Sequence, residues 1–204
     1  MCIESVLFDA DGVLQKPAEA RRSAWRNVLG RTEDLDSFLE DVFEAEMPAL
    51  DGRSDFAEAF SEVISRWKCR GTLAEALDAW TMIEVDQSIA DAIGAVREMG
   101  LRCYLATNQE AVRADYMSRT LGYGKLFDGE FYSCRMGIAK PDVGYFQRIL
   151  DELRAEPESL LLLDDRTENV KSARAAGLRA VEFTLSRGSG GLFRILKEFH
   201  VSVV

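Results

Sequence analysis

Val6-Leu7-Phe8-Asp9-Ala10-Asp11-Gly12 is the stretch that decides the fold of this chain. Three apolar residues in a row break off at two aspartates and a glycine, which is the pattern of a buried strand delivering carboxylates to a tight turn. Downstream the texture changes. From Ala18 to about Trp80 apolar residues recur at helical spacing in four stripes: Trp25, Val28 and Leu29; Phe38, Leu39, Val42 and Phe43; Phe56, Phe60, Val63, Ile64 and Trp67; Leu73, Leu77 and Trp80. Breaks at Gly30 to Thr32, Pro48 to Gly52 and Gly71 separate the stripes, so this region is expected to be a small helical bundle.

Beyond Ser88 helices and apolar strands alternate. Ile89, Ile93 and Val96 predict a helix stopped by Gly100, and Cys103 to Ala106 a strand ending in Thr107-Asn108. A helix from about Ala111 to Leu121, a short strand at Phe131-Tyr132 and a helix through Tyr145, Ile149 and Leu153 follow. Leu160 to Leu163 are four consecutive leucines ending in Asp164-Asp165, as a strand buried on both faces requires. A helix ending at Gly177, a strand at Ala180 to Phe183 and a helix through Leu192, Ile195, Leu196 and Phe199 close the chain. The alternation predicts an α/β fold with a doubly wound, Rossmann-like parallel sheet.

A strand-helix-strand unit needs about 30 residues, yet 98 positions separate Asp9 from Thr107. The surplus is the four-helix region, expected to be a small all-helical cap inserted after the first strand. The division expected is a catalytic core of residues 1–16 and 82–204 and a cap of residues 17–81.

Composition limits the chemistry. The 204 residues carry 25 Lys and Arg against 35 Asp and Glu, a net charge of −10, with no strongly basic block. A nucleic-acid surface, which needs clustered Lys and Arg, is therefore not expected. No run approaches the ~18 apolar residues of a membrane span, and Glu4, Asp9 and Asp11 interrupt what would be the apolar part of a signal peptide. Cys2, Cys69, Cys103 and Cys134 form no Cys-x-x-Cys unit, so reduced thiols and a cytoplasmic location are expected. The single histidine, His200, stands near the end of the chain and leaves little scope for a Ser/His/Asp triad or a His-rich zinc site. Chemistry has to run on carboxylates.

Ligands of open parallel sheets sit outside the carboxyl ends of the strands. Standing there are Asp9 and Asp11, Thr107 and Asn108, and Asp164 and Asp165, with Lys140 in a loop before a helix. Four converging carboxylates raise one another's pKa unless a cation intervenes, and an all-oxygen donor set selects a hard ion, magnesium first. Such a site suits phosphoryl transfer: Asp9 can attack phosphorus, and Asp11 can protonate the leaving oxygen and then deprotonate water. Gly12 lets the turn pass close to the substrate, Thr107 can hold phosphoryl oxygens, and Lys140 can balance the charge on Asp9 and the phosphoryl group.

Four segments in order resemble the motifs of the haloacid dehalogenase superfamily: Phe8-Asp9-Ala10-Asp11-Gly12-Val13-Leu14, Ala106-Thr107-Asn108, Gly137-Ile138-Ala139-Lys140-Pro141-Asp142, and Leu163-Asp164-Asp165-Arg166-Thr167-Glu168-Asn169-Val170. The stretch from Phe127-Asp128 to Phe146 is also similar to that family's third-motif region. The resemblance covers about residues 4–14 and 88–185 and implies a magnesium-dependent phosphatase with a helical cap, acting on a small phosphorylated metabolite through an aspartyl-phosphate. It also implies that Asp9, Asp165 and the backbone carbonyl of Asp11 hold the metal, with Asp164 an outer or alternative ligand, and that Thr107, Asn108 and Lys140 hold the substrate phosphate. A phosphomutase of the β-phosphoglucomutase type is the related alternative. A 2-haloacid dehalogenase is disfavoured, because the dehalogenases have an aromatic residue where this chain has Asp11, and a non-catalytic binding protein would need no nucleophile and acid/base pair. Monomer and homodimer are both compatible with the sequence.

Blander roles stand beside these. Asp165 can cap the helix that follows, with Glu168 three residues on completing a capping box; Asn108 and Asn169 are common turn and cap residues. Trp25, Trp67 and Trp80 read as core of the bundle, and Arg53 as either a substrate anion contact or a solvated cation.

Overall fold

The computed structural model describes residues 2–199; the single histidine, His200, lies outside the described residues. Five parallel strands form the central sheet: β1 (Ser5–Phe8), β4 (Arg102–Thr107), β5 (Gly129–Tyr132), β6 (Leu160–Asp164) and β7 (Arg179–Glu182), in the spatial order β5-β4-β1-β6-β7. All four residues of β1 and all five of β6 are buried, which is why neither shows the alternation of a half-exposed strand. Register pairs Phe8 with Leu105 on one side and Leu163 on the other, so the chain segments leaving β1, β4 and β6 emerge side by side.

Helices cover both faces. On one, α5 (Gln87–Glu98) and α11 (Gly188–Glu198) enclose a core around Phe8, Ile93, Leu105 and Leu163; on the other, α9 (Val143–Leu153) and α10 (Thr167–Ala175) enclose Leu7, Phe146, Ile149 and Leu162. This is the doubly wound, Rossmann-like α/β core expected from the alternation. Some boundaries differ from the sequence reading. The helix expected from Ala111 to Leu121 is α6 (Ala111–Asp115), followed by a wider π turn over Tyr116–Thr120. Phe183 lies beyond β7, its amide donating to the carbonyl of Asp164.

Between β1 and β4 stand α1 (Arg21–Leu29), α2 (Leu35–Glu46), α3 (Phe56–Arg66) and α4 (Leu73–Trp80), which share a core of their own. Trp25 sits at its centre, with its ring edge-on to Phe38, Phe60 and Trp80. Capping fixes where these helices begin: Asp55 accepts from the amides of Ala57 and Glu58, and Thr72 and Glu75 form a reciprocal capping box. The chain enters and leaves this bundle through a short antiparallel ribbon, β2 (Gln15–Pro17) paired with β3 (Ile83–Val85). The ribbon is too short for the periodicity of the sequence to show.

Candidate active site

The strand order reverses at β1: the chain runs outward through β4 to β5, then returns to the other side of β1 through β6 and β7. The carboxyl ends of β1, β4 and β6 therefore meet at a switch point, where such sheets bind ligands. A cleft of about 230 Å³ opens there, lined by Asp9, Asp11, Gly12, Thr107, Asn108, Lys140, Asp165, Arg166 and Asn169. All the candidate residues except Asp164, which lies buried directly beneath, face this one cleft.

Lys140 is the hub. Its ammonium stands 3.0 Å from Asp9 Oδ1 and 2.6 Å from Asp164 Oδ2 and donates to the Ala106 carbonyl at 2.8 Å, with only 1% of the side chain exposed. Burial alone would favour a neutral amine, but Asp9 and Asp164 overcome it and hold the Lys140 pKa above its ordinary value. Burial pushes the Asp9 carboxyl up to about 6; Lys140 opposes this, the charge of Asp164 adds to it, and the Thr107 hydroxyl favours the ionised form. At neutral pH Asp9 is thus mostly a carboxylate, partly desolvated.

The two neighbouring aspartates differ sharply. Asp164 is fully buried, and beyond Lys140 it accepts from Asn169 Nδ2 at 2.9 and 3.1 Å and from the Arg166 amide at 2.9 Å. Asp165 is partly exposed, and burial together with the charge of Asp164 raises its pKa. The capping role considered for Asp165 is not seen: Arg166 occupies the N-cap position of α10, and no side-chain capping hydrogen bond is made there. Oxygen atoms of Asp9, Asp164 and Asp165 all lie within 4.8 Å of one another. Gly12, at φ +77°, closes the approach: a Cβ there would lie 2.2 Å from Asp165 Oδ2, so only glycine lets the first loop lie against this carboxylate.

Asn108 is committed to the backbone of Lys140, donating to its carbonyl at 2.8 Å and accepting from its amide at 2.9 Å. Its side chain positions the lysine loop, where the resemblance implied a phosphate contact. Asn169 likewise orients Asp164. Arg53 is far more exposed and pairs with Asp51 at 2.8 Å within its own turn. Trp25 and Trp80 are buried in the bundle, and Trp67 donates to Asp41 at 2.7 Å.

Asp11 has surroundings that the sequence reading missed. Its carboxylate accepts from Gln15 Nε2 at 2.9 Å, Gln109 Nε2 at 2.7 Å and Arg113 Nη2 at 2.9 and 3.1 Å. Burial opposes its charge, but Arg113 and the two amides outweigh it and keep the pKa below the ordinary value. Arg113 is placed by Glu110, which caps α6 through the amides of Val112 and Arg113 and accepts from Trp80 Nε1 at 3.0 Å. The spacing of Gln109 and Arg113, one helical turn apart directly after Thr107-Asn108, is the signal that could have found them.

A family profile of haloacid dehalogenase-like hydrolases matches residues 3–177. The chain belongs to that family. It is 27% identical over 189 residues to a phosphorylated carbohydrates phosphatase of Thermotoga maritima, covering 88% of this chain and 84% of the relative. It is 28% identical over 200 residues to phosphatase MT3486 of Mycobacterium tuberculosis, covering 88% and 87%. Among solved structures, the magnesium complex of a haloacid dehalogenase family enzyme from Bacteroides thetaiotaomicron superposes with a TM-score of 0.80 at 19% identity, covering 95% of this chain and all of that one. The chain is accordingly a hydrolase acting on phosphate esters. No helix among the described residues is long and apolar enough to cross a membrane.

Proposed function

We propose that this haloacid dehalogenase-like phosphatase hydrolyses a small phosphomonoester, a sugar phosphate or similar metabolite, through an aspartyl-phosphate on Asp9, with magnesium as cofactor. The observation that carries the reading is the buried Asp9–Lys140–Asp164 array with Asp165 open beside it. The donor set fits magnesium: three carboxylates, no nitrogen or sulfur, and in Asp165 a carboxylate that neither caps its helix nor joins the Lys140 array. Asp9 and Asp165 would hold the ion with the Asp11 carbonyl, while Asp164, saturated by Lys140, Asn169 and the Arg166 amide, orients the lysine. When bound, the ion neutralises charge on the phosphoryl oxygens.

The chain's own residues do the rest. Lys140 and Thr107 hold Asp9 ionised and aimed into the cleft, so its oxygen can attack phosphorus as the substrate oxygen departs. Lys140 also meets the charge of the phosphoryl group, and Asp11 carries the proton to the leaving oxygen and later takes one from the attacking water. That role requires Asp11 to leave Arg113, because a carboxylate held ionised by a guanidinium has no proton to give. We further propose that residues 17–81 act as a cap over the core of residues 1–16 and 82–204, and that the protein works in the cytoplasm, which its unpaired cysteines support.

The test is release of phosphate from para-nitrophenyl phosphate with magnesium or with EDTA, for the wild type and Asp9→Asn. Loss of activity with either the chelator or the substitution is expected; activity that survives both refutes the mechanism. Net phosphate release without transfer to a second hydroxyl separates hydrolysis from mutase chemistry.

A further inference from the structure

Where the bundle meets the core, two arginines lie buried near Asp11. Arg21, on α1, and Arg113, on α6, are 8% and 6% exposed, and both guanidinium carbons stand against the ring of Trp80, at 4.9 and 5.5 Å from its centroid. Each has a buried Nε without a hydrogen-bond partner. Arg113 spends Nη2 on Asp11, whereas among the described residues no carboxylate is in ion-pair contact with Arg21. Burial and the like charge of Arg113 push the Arg21 pKa down to about 10, against the opposing charges of Asp11 and Glu46.

Buried guanidinium groups are ordinarily paired, since an uncompensated cation in a desolvated site is costly. Asp11 and Glu46 act on Arg21 from a distance, Asp11 the more strongly; burial pushes the Glu46 carboxyl, at the end of α2, up to about 7, with Arg113 and Arg21 opposing and the charges of Glu110 and Asp11 adding. Arg21 also lines a groove of about 250 Å³ with Pro17, Trp25, Leu39 and Phe43, so it can be reached from solvent. The guanidinium of Arg21, which has no ion-pair partner among the described residues, and the unpartnered Nε of Arg113, both against Trp80 and near an acid/base residue, offer donors to a planar or tetrahedral anion.

We propose that the substrate carries a second anionic group, carboxylate or phosphate, which Arg21 and Arg113 receive against Trp80. The inference deepens the phosphatase reading and rests on it. Because Arg113 already touches Asp11, a second anion on the same guanidinium lies close to the leaving oxygen, which restricts the class to short substrates such as phosphorylated hydroxy acids and compact bisphosphates. The incoming anion competes with Asp11 for Arg113. Arg113 is thereby a positioning residue for Asp11, released to the leaving oxygen when a substrate with the second charge binds.

Matched substrates test this, with magnesium present: 3-phosphoglycerate against glycerol 3-phosphate for a carboxylate, and fructose 1,6-bisphosphate against fructose 6-phosphate for a phosphate. The expected wild-type result is a kcat/KM at least tenfold higher for the doubly anionic member of one pair, and which pair shows it identifies the anion. Arg21→Met is expected to shrink that ratio at least tenfold, and Arg21→Lys, which keeps a cation near the Trp80 ring, to shrink it less. Ratios near one in both pairs, a ratio unaltered in Arg21→Met, or a lowered midpoint with both members of a pair impaired alike would overturn the proposal. If para-nitrophenyl phosphate is hydrolysed in an Asp9-dependent way while both ratios stay near one, only the second-anion proposal falls; if no substrate releases phosphate, the phosphatase mechanism falls with it.

Discussion

Replacing Lys140 by methionine removes one charge from a site where nothing else can substitute for it. The ammonium bonds Asp9, Asp164 and the Ala106 carbonyl at 3.0, 2.6 and 2.8 Å, and both it and Asp164 are essentially inaccessible to water. Methionine fills the same volume, so the change isolates the charge. Breaking a buried ion pair from one side typically costs about 3–5 kcal/mol, because the partner is left uncompensated. For a chain of this size each kcal/mol shifts the midpoint by about 2–4 °C, so a fall of roughly 6–20 °C is expected. The deficit is also pH-dependent. Asp9 already titrates near 6 with Lys140 in place, and without it the carboxyl moves higher. A carboxyl with a raised folded-state pKa contributes stability that is present in acid and lost as pH rises through that value. The gap between wild type and variant, measured by thermal melts in EDTA, is therefore expected to narrow from pH 8 to pH 4.5 by about half or more. A gap of equal size at both pH values, or a Lys140→Met/Asp164→Asn double variant no more stable than the single one, would refute the electrostatic account.

Three other outcomes follow from the geometry. Gly12→Ala forces a side chain onto a φ of +77° and onto Asp165 Oδ2, so about 1–3 kcal/mol of stability and at least tenfold in the magnesium concentration needed for half-maximal activity are expected to be lost; a normal magnesium titration would count against the placement of Asp165. Trp80→Phe strips Glu110 of a buried 3.0 Å hydrogen bond and is expected to cost about 1–3 kcal/mol in urea unfolding. Glu46 has a folded pKa of about 7 against an ordinary 4.5, so its contribution is complete below about pH 4.5 and is lost as pH rises through 7. Glu46→Gln is accordingly expected to gain about 3 kcal/mol relative to wild type between pH 4.5 and pH 8, and parallel pH profiles would refute the raised pKa.

The parts of this protein legible in its sequence are those whose causes are local. The leucines at 160 to 163 could only be a strand with both faces covered, and the apolar stripes of α1 to α4 could only be helices packed on one another. The four motifs gave the identities of Asp9, Lys140, Asp164 and Asp165 because each stands at a strand end or in a loop whose place in the sheet follows from the strand-helix alternation. The β2–β3 ribbon escaped notice because three residues per strand carry no usable period. The π turn after α6 escaped because it keeps the helical spacing of apolar residues nearly intact.

Residue type and order determined the architecture, the inserted bundle and the set of acids at the switch point, since hydrophobic periodicity and strand ends are properties of short segments. Only the tertiary structure decided what surrounds each acid. It buried Asp164 under three donors and left Asp165 beside the Gly12 turn. It turned Asn108 onto the lysine loop, and it brought Arg113, 102 positions away in sequence, onto Asp11 with Arg21 close by. Charge, burial and hydrogen bonding act through space, so residues of one type acquire different protonation and different roles once the chain has packed them against different neighbours.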